Sequence, residues 1–289
     1  MLGALKYKCL NIVQMSNRNT KAELLTSAPI LANPCYVQPF LSLHNEDCLE
    51  TMRRIETGSV DLMITDPPYG ITQNDWDIVP NFDLMWLEWE RIVKPNGAFI
   101  FTAQQPFTSQ LVNSRLDYFK YELIWLKNKA VGFLDAGNKP LKEHENIVVF
   151  YRKLPTYNPQ FTFDKPYDRG VVDRMKTSKG NYGKTNISKS SSKDGKRFPK
   201  SVIHFGCEQR TDHPTQKPID LFRYLINTYS NEGDLVFDGY SGSGTTAHAC
   251  IKEGRKFIGS ELNKEYYEKS VKRLHNAISQ PEMFVGSGL

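Results

Sequence analysis

Asp234-Leu-Val-Phe-Asp238-Gly239-Tyr240-Ser241-Gly242-Ser243-Gly244-Thr245-Thr246, followed by Ala247 to Gly254, reads as a short apolar strand, a glycine-rich turn and a helix. Glycines there let a ligand approach the backbone, and the helix N-terminus offers unpaired N–H groups. Gly242-x-Gly244-x-x-Ala247 fits the dinucleotide fingerprint, and Glu261 follows at about the right spacing (~20 residues) for a ribose hydroxyl. Two features argue against NAD: Asp238 sets an acid between strand and glycines, and the chain offers no second mononucleotide-binding half. Glu261 ends the apolar run Lys256-Phe-Ile-Gly-Ser260, so its carboxylate belongs at the C-terminal edge of a strand, where open α/β sheets bind ligands. An exposed neighbour of a helix N-cap is the structural alternative.

A second stretch carries chemistry. Val60-Asp-Leu-Met-Ile-Thr65 is a buried strand by pattern, and Asp66-Pro67-Pro68-Tyr69 ends it abruptly. Two prolines have fixed φ and no N–H, so the chain leaves the sheet as a stiff turn. That turn holds a carboxylate, a free carbonyl and an aromatic ring, the parts needed to grip an amino group on a flat ring. The plain alternative is a strand terminator with a solvated Asp.

Seven apolar runs predict strands at 40–43, 60–65, 98–103, 121–126, 146–151, 234–238 and 256–261. Amphipathic stretches between them, such as Phe82 to Val93 and Leu221 to Ile226, predict helices, with Lys94-Pro-Asn-Gly97 as a stop signal. Alternation of this kind implies a mostly parallel sheet covered on both faces. Trp86 and Trp89, three apart, are expected in the core. Residues 1–38 show no clear element and read as an arm.

The two motifs together resemble the S-adenosylmethionine-dependent amino-DNA methyltransferases. Phe237 to Thr246, Gly254-Arg-Lys-Phe-Ile-Gly-Ser-Glu261 and Asp66-Pro-Pro-Tyr69 carry the likeness, over roughly residues 40–155 and 200–276. The catalytic motif precedes the cofactor motif, which resembles the permuted β class of adenine-N6 and cytosine-N4 enzymes. His213-Pro-Thr-Gln-Lys-Pro218 is similar to the helix that opens that class's cofactor half. One departure stands out: the family usually has Pro-Phe where this chain has Gly239-Tyr240, which predicts a looser turn and retained, weaker cofactor binding.

The resemblance implies an α/β fold: a seven-stranded, mostly parallel Rossmann-like methyltransferase sheet with an inserted basic target-recognition segment. It divides the chain into the arm at 1–38, a catalytic half at 39–152, the inserted segment at 153–205 and a cofactor half at 206–289. It also implies the site. Asp66 and the Pro67 carbonyl would accept the two N–H groups of a target amine, and Tyr69 would stack on the base. Asp47 would accept from the cofactor's adenine, with a helix N-cap as the competing role. Asp238 and Tyr240 would lie along the cofactor, Gly242, Gly244 and Thr245 would form its turn, and Glu261 would take the ribose. Lys217 or Thr215 would hold the methionine carboxylate. His144-Glu145 resembles a loop bordering the base pocket, with a structural His–Glu pair as the alternative. Asp66 favours adenine N6, because the cytosine enzymes more often carry Ser there.

Composition agrees with these expectations. The 289 residues carry a net charge of +5, unevenly spread. Residues 151–200 hold 13 Lys or Arg against four Asp and no Glu, a local net of +9, so the remainder sums to −4. Aromatics interleave with those lysines, and duplex DNA is the expected partner. Within the segment, Lys176 to Lys184 and Lys189 to Arg197 predict loops. No apolar stretch approaches a membrane span, and Met1 to Val13 makes a poor signal peptide. The five cysteines form no C-x-x-C pair and predict neither a metal site nor a disulfide framework, so a reducing cytoplasm is the expected home. Homodimerisation and a cognate restriction endonuclease stay open. So do cytosine N4, RNA or a protein amide as target, and a silent DNA-binding scaffold.

Overall fold

The computed structural model describes residues 35–172, 188–207 and 216–279. Thr215, most of the arm and the stretch from Lys176 to Lys184 lie outside the described residues. Contacts divide the chain into two units, residues 1–157 with 202–289, and residues 158–201.

In the larger unit the strands are β1 (Cys35–Gln38), β2 (Leu41–His44), β3 (Val60–Thr65), β4 (Val93–Ala103), β5 (Phe119–Val131) and β6 (Lys142–Tyr151). The smaller unit contributes β7 (Thr162–Phe163), β8 (Tyr167–Val172), β9 (Ser188–Ser192) and β10 (Lys196–Arg197). The larger unit resumes with β11 (Val202–His204), β12 (Leu235–Asp238) and β13 (Lys256–Ser260). Its helices are α1 (Cys48–Arg53), α2 (Phe82–Ile92), α3 (Phe107–Ser114), α4 (Ile219–Tyr229), α5 (Thr245–Lys252) and α6 (Lys264–Ser279).

Nine strands form one sheet in the order β1-β2-β13-β12-β3-β4-β6-β5-β11. Five of its neighbouring pairs are parallel; β1 with β2, β4 with β6 and β5 with β6 are antiparallel. The expected seven strands are all present, and the sheet gains one at each edge. β1 draws Cys35–Gln38 out of the expected arm, and β11 draws 202–204 out of the expected insertion, which as a compact unit runs 158–201. Lys94 to Gly97 lies within β4, not beyond a helix end, because the chain turns directly from α2 into the strand at Val93.

Period-two alternation explains why both faces are covered. Leu62, Ile64, Ala98, Ile100, Ile147 and Val149 face one layer, where Leu221, Leu225 and Ile226 of α4 and Ala249 of α5 pack. Met63, Phe99, Phe101, Val148 and Phe150 face the other, against Met52 of α1, Trp86 and Trp89 of α2 and Leu111 of α3. Both tryptophans are core residues, as expected, with ring centroids 5.0 Å apart edge to face. Losing Trp89 would cost about 3–5 kcal/mol.

In the smaller unit, β8 pairs with β9 and β10 with β7, both antiparallel. Ser188–Ser192 and Lys196–Arg197 are therefore strands, not the loops expected. Their polar run shows no apolar period because backbone pairing, not a buried face, makes them strands. Lys196 lies over the Phe161 ring and Arg197 over Tyr167. Cys35 is disulfide-bonded, against the expectation from cysteine count, while Cys48, Cys207 and Cys250 are free thiols. Among the described residues no helix is long and apolar enough to cross a membrane.

Candidate active site

β12 and β3 are adjacent and parallel, with Val236 opposite Leu62 and Phe237 opposite Met63. Their C-terminal ends therefore bring Asp238 and Asp66 side by side, although the two motifs stand far apart in sequence. From this point the chain proceeds from β12 to β13 on one side and from β3 to β4 on the other, the divergence at which open α/β sheets bind ligands. One cleft is lined by Asp66, Lys217, Asp238, Tyr240, Gly242 and Thr245.

Asp66 takes three donors, two on Oδ1 and one on Oδ2, which leaves one lone-pair site on Oδ2. Tyr69 donates its hydroxyl to Oδ1 at 2.6 Å, Thr102 donates to the same oxygen, and Lys217 Nζ lies 2.6 Å from Oδ2. Burial alone would raise this carboxyl, but the Lys217 ammonium and those hydrogen bonds outweigh it and hold the pKa below the ordinary value. The Tyr69 ring packs on Phe107 at 5.1 Å. The loop that follows is pinned by Asp77, whose carboxylate accepts the N–H groups of Gly70, Ile71 and Thr72. Pro67 is buried at the turn.

Lys217 sits just ahead of α4, whose N-cap position is Pro218. Burial works against its charge, but Asp66 and Glu145 hold its pKa above the ordinary lysine value. Glu145 Oε2 approaches Nζ at 3.6 Å, and Glu145 also pairs with Lys127. The structural His144–Glu145 pair considered above does not form: His144 is exposed and Glu145 turns to the two lysines.

Asp238 is buried to the point where its pKa rises to about 6, despite hydrogen bonds from Thr246, Thr65 and the Tyr240 N–H. Tyr240 packs beside the core layer of Met63, Phe99 and Trp86, and its hydroxyl is hydrogen-bonded to the Cys48 thiol. Burial pushes that thiol up to about 12. A Cβ on Gly239 would stand 3.1 Å from Cys48 Cβ, so glycine fits a crowded turn here and does not loosen it.

Gly244, at φ +75°, makes the left-handed step into α5, where a larger side chain would also press on Ser270. The Gly242 N–H donates to Glu261 at 2.8 Å and the Asn263 N–H donates at 2.7 Å, yet burial still lifts Glu261 to about 7. Asn45 ties the β2–α1 loop to the same corner by donating to the Glu261 carbonyl at 2.8 Å. Asp47 is the N-cap of α1, accepting from the Leu49 N–H at 2.8 Å.

Six expected residues thus line one cleft, Tyr69 and Glu261 bond directly to members of it, and Gly244 shapes its turn. Sequence reasoning missed Thr65, Thr102 and Thr246, hydroxyls at strand ends and in the first turn of α5 that satisfy the two acids. An acid-lined cleft beside a glycine turn and a helix N-terminus suits a ligand with cationic groups and ribose hydroxyls.

Comparison with known proteins agrees. The N6_N4_Mtase family, described as DNA methylase, matches residues 60–272. The chain is 29% identical over 241 residues to the Type II methyltransferase M.HpaI of Haemophilus parainfluenzae, covering 79% of this chain and 72% of that one. It is 29% identical over 252 residues to the DNA adenine methyltransferase YhdJ of Escherichia coli, covering 79% and 80%. In fold it resembles the M1.HpyAVI–SAM complex, with a TM-score of 0.54, 23% identity and coverage of 81% and 100%. It also resembles the cytosine-N4-specific PvuII DNA methyltransferase, with a TM-score of 0.57, 16% identity and coverage of 85% and 93%.

Proposed function

Since this chain belongs to the N6_N4_Mtase family of DNA methylases, with S-adenosylmethionine as methyl donor, we propose that it methylates the N6 amino group of adenine at specific sites in duplex DNA. The observation that carries this reading is the Asp66 carboxylate, kept ionised by Lys217 in the wall of the cleft. The N6 lone pair is delocalised into the ring, so the amine needs help to act as a nucleophile. Accepting one N–H on Asp66 and the other on the Pro67 carbonyl draws nitrogen toward sp³ geometry and exposes its lone pair. S-adenosylmethionine supplies an activated methyl on a sulfonium, so the chain's task is alignment and desolvation. Asp66 needs no high basicity beforehand, because the amine becomes acidic only once methylated.

The target base must leave the stack, and Tyr69 is the aromatic surface assigned to receive it. Asp238 and Glu261 are assigned to the cofactor's methionine end and ribose, and Asp47 to its adenine in addition to capping α1. Tyr240, Gly242, Gly244 and Thr245 complete that wall. Lys217 is assigned to Asp66 in place of the methionine carboxylate, which is where its ammonium lies. Thr215 remains an expectation for that carboxylate. The basic, aromatic segment at 158–201 is assigned to the DNA backbone.

A cytosine-N4 target is the second reading, favoured by the PvuII likeness in fold alone. Incubation with mixed-sequence duplex and methyl-labelled cofactor, followed by nucleoside separation, decides between them. Label in 6-methyladenine supports the proposal, and label in 4-methylcytosine alone refutes it.

A further inference from the structure

β5 runs parallel to β4, and β6 runs back between them. The β5–β6 connection therefore leaves the sheet at the same edge as Asp66. Ala103, the last residue of β4, is level with Asn146 and Ile124. Beyond that level the hairpin continues without β4, with Glu145 opposite Trp125 and Lys142 opposite Val131. Its base belongs to the active site, because Glu145 approaches Lys217, and Lys217 holds Asp66. The three residues from Glu145 to Lys142 span roughly 10 Å of strand, so the tip stands within reach of DNA whose target base lies at Asp66.

The tip is unusual for a solvated turn. Residues 131–141 are all exposed. Gly132, at φ +95°, turns the chain into a single 3-10 turn, Phe133–Asp135. Phe133 is 70% exposed and Leu134 wholly so. A Lys139–Asp135 ion pair closes the turn behind them at 2.7 Å. Between residues 127 and 143 the hairpin carries four lysines against Asp135 and Glu143. Two adjacent large apolar side chains held in water, on a basic hairpin beside a site for a nucleic-acid base, call for a partner that is anionic outside and apolar within. Duplex DNA has that pattern: phosphates outside, stacked rings inside.

We propose that Phe133 and Leu134 form a wedge that enters the base stack of the substrate duplex beside the target base, filling the gap left when that base turns outward. The inference rests on the proposed methylation of a base in duplex DNA. Insertion offsets the unstacking that the duplex otherwise resists. The wedge should therefore matter for a paired target and little for one already unpaired.

The test compares wild type, Phe133→Ala/Leu134→Ala and Phe133→Trp/Leu134→Met on three substrates bearing the mapped recognition site. These are the paired duplex, the same duplex with an abasic position opposite the target, and the single strand. Because both side chains lie in solvent, the alanine variant should fold with an unchanged melting temperature. It should lose about tenfold or more in kcat/KM on the paired duplex, stay within about twofold of wild type on the abasic-opposed duplex, and recover when Trp and Met are present. An unchanged rate on the paired duplex, or an equal loss on all three substrates, overturns the wedge. A wild type that binds cofactor but methylates none of the three overturns the underlying reading itself, which separates the two failures.

Discussion

Lys217 Nζ lies 2.6 Å from Asp66 Oδ2, so the lysine just ahead of α4 is the counter-ion of the acid that ends β3. The pair joins the two halves of the chain at the atom proposed to grip the target amine. It also explains how a carboxylate in a partly desolvated cleft stays ionised.

Lys217→Met removes that counter-ion while keeping most of the side-chain volume. Burial then dominates, and the Asp66 pKa rises from below its ordinary value. The acid limb of the kcat/KM profile should move to higher pH, with kcat near neutrality falling by on the order of 10²-fold. Lys217→Arg, which restores the charge, should return the limb toward its wild-type position. Rates measured from pH 5 to 9 check this.

Glu261, held at about 7 by burial, sets a pH dependence of stability in the cofactor-free protein. Its folded pKa is above the unfolded value, so the native state binds the extra proton. The resulting stabilisation is complete below the ordinary carboxylate range and is lost as pH rises to about 7. Asp238, at about 6, has the same sign. His44, lowered to about 4 mainly by burial, has the opposite sign. The melting-temperature difference between wild type and Glu261→Gln isolates the glutamate. Relative to the variant, wild type should lose stability between about pH 4.5 and 7. A flat difference would contradict the buried-acid assignment.

Tyr240→Phe puts the family's usual ring at this position and removes the hydroxyl bonded to Cys48. The expected cost is about 1 kcal/mol of stability, read by denaturant titration, with methyl transfer retained. A large loss of activity would mean that the hydroxyl does more than hold the turn.

Much of the architecture was legible because strands buried on both faces announce themselves. Val60–Thr65 forms a strand over the span expected, and Leu235–Asp238 begins one residue later than expected. The edge strands were not legible: Cys35–Gln38 and Val202–His204 are short, and their neighbours in the sheet make them strands. Ser188–Ser192 was hidden for a related reason, having no apolar period to read. The cleft followed from two motifs, but its internal wiring did not. Nothing local to Lys217 or Thr102 points to Asp66; only the meeting of the ends of β3 and β4 with the segment ahead of α4 brings these groups together. Glu145 was noticed as a pocket neighbour, yet its pairing with Lys127 depends on β5–β6 register and its approach to Lys217 on the segment ahead of α4.

The most direct test of the central claim is methyl transfer to duplex DNA by wild type and Asp66→Ala side by side, with DNA binding and cofactor binding measured on both. Wild type should place label in 6-methyladenine, while the variant binds both ligands and transfers none. Equal transfer by the two proteins, or DNA bound by both and methylated by neither, would contradict the assignment of Asp66 as the residue that grips the target amine.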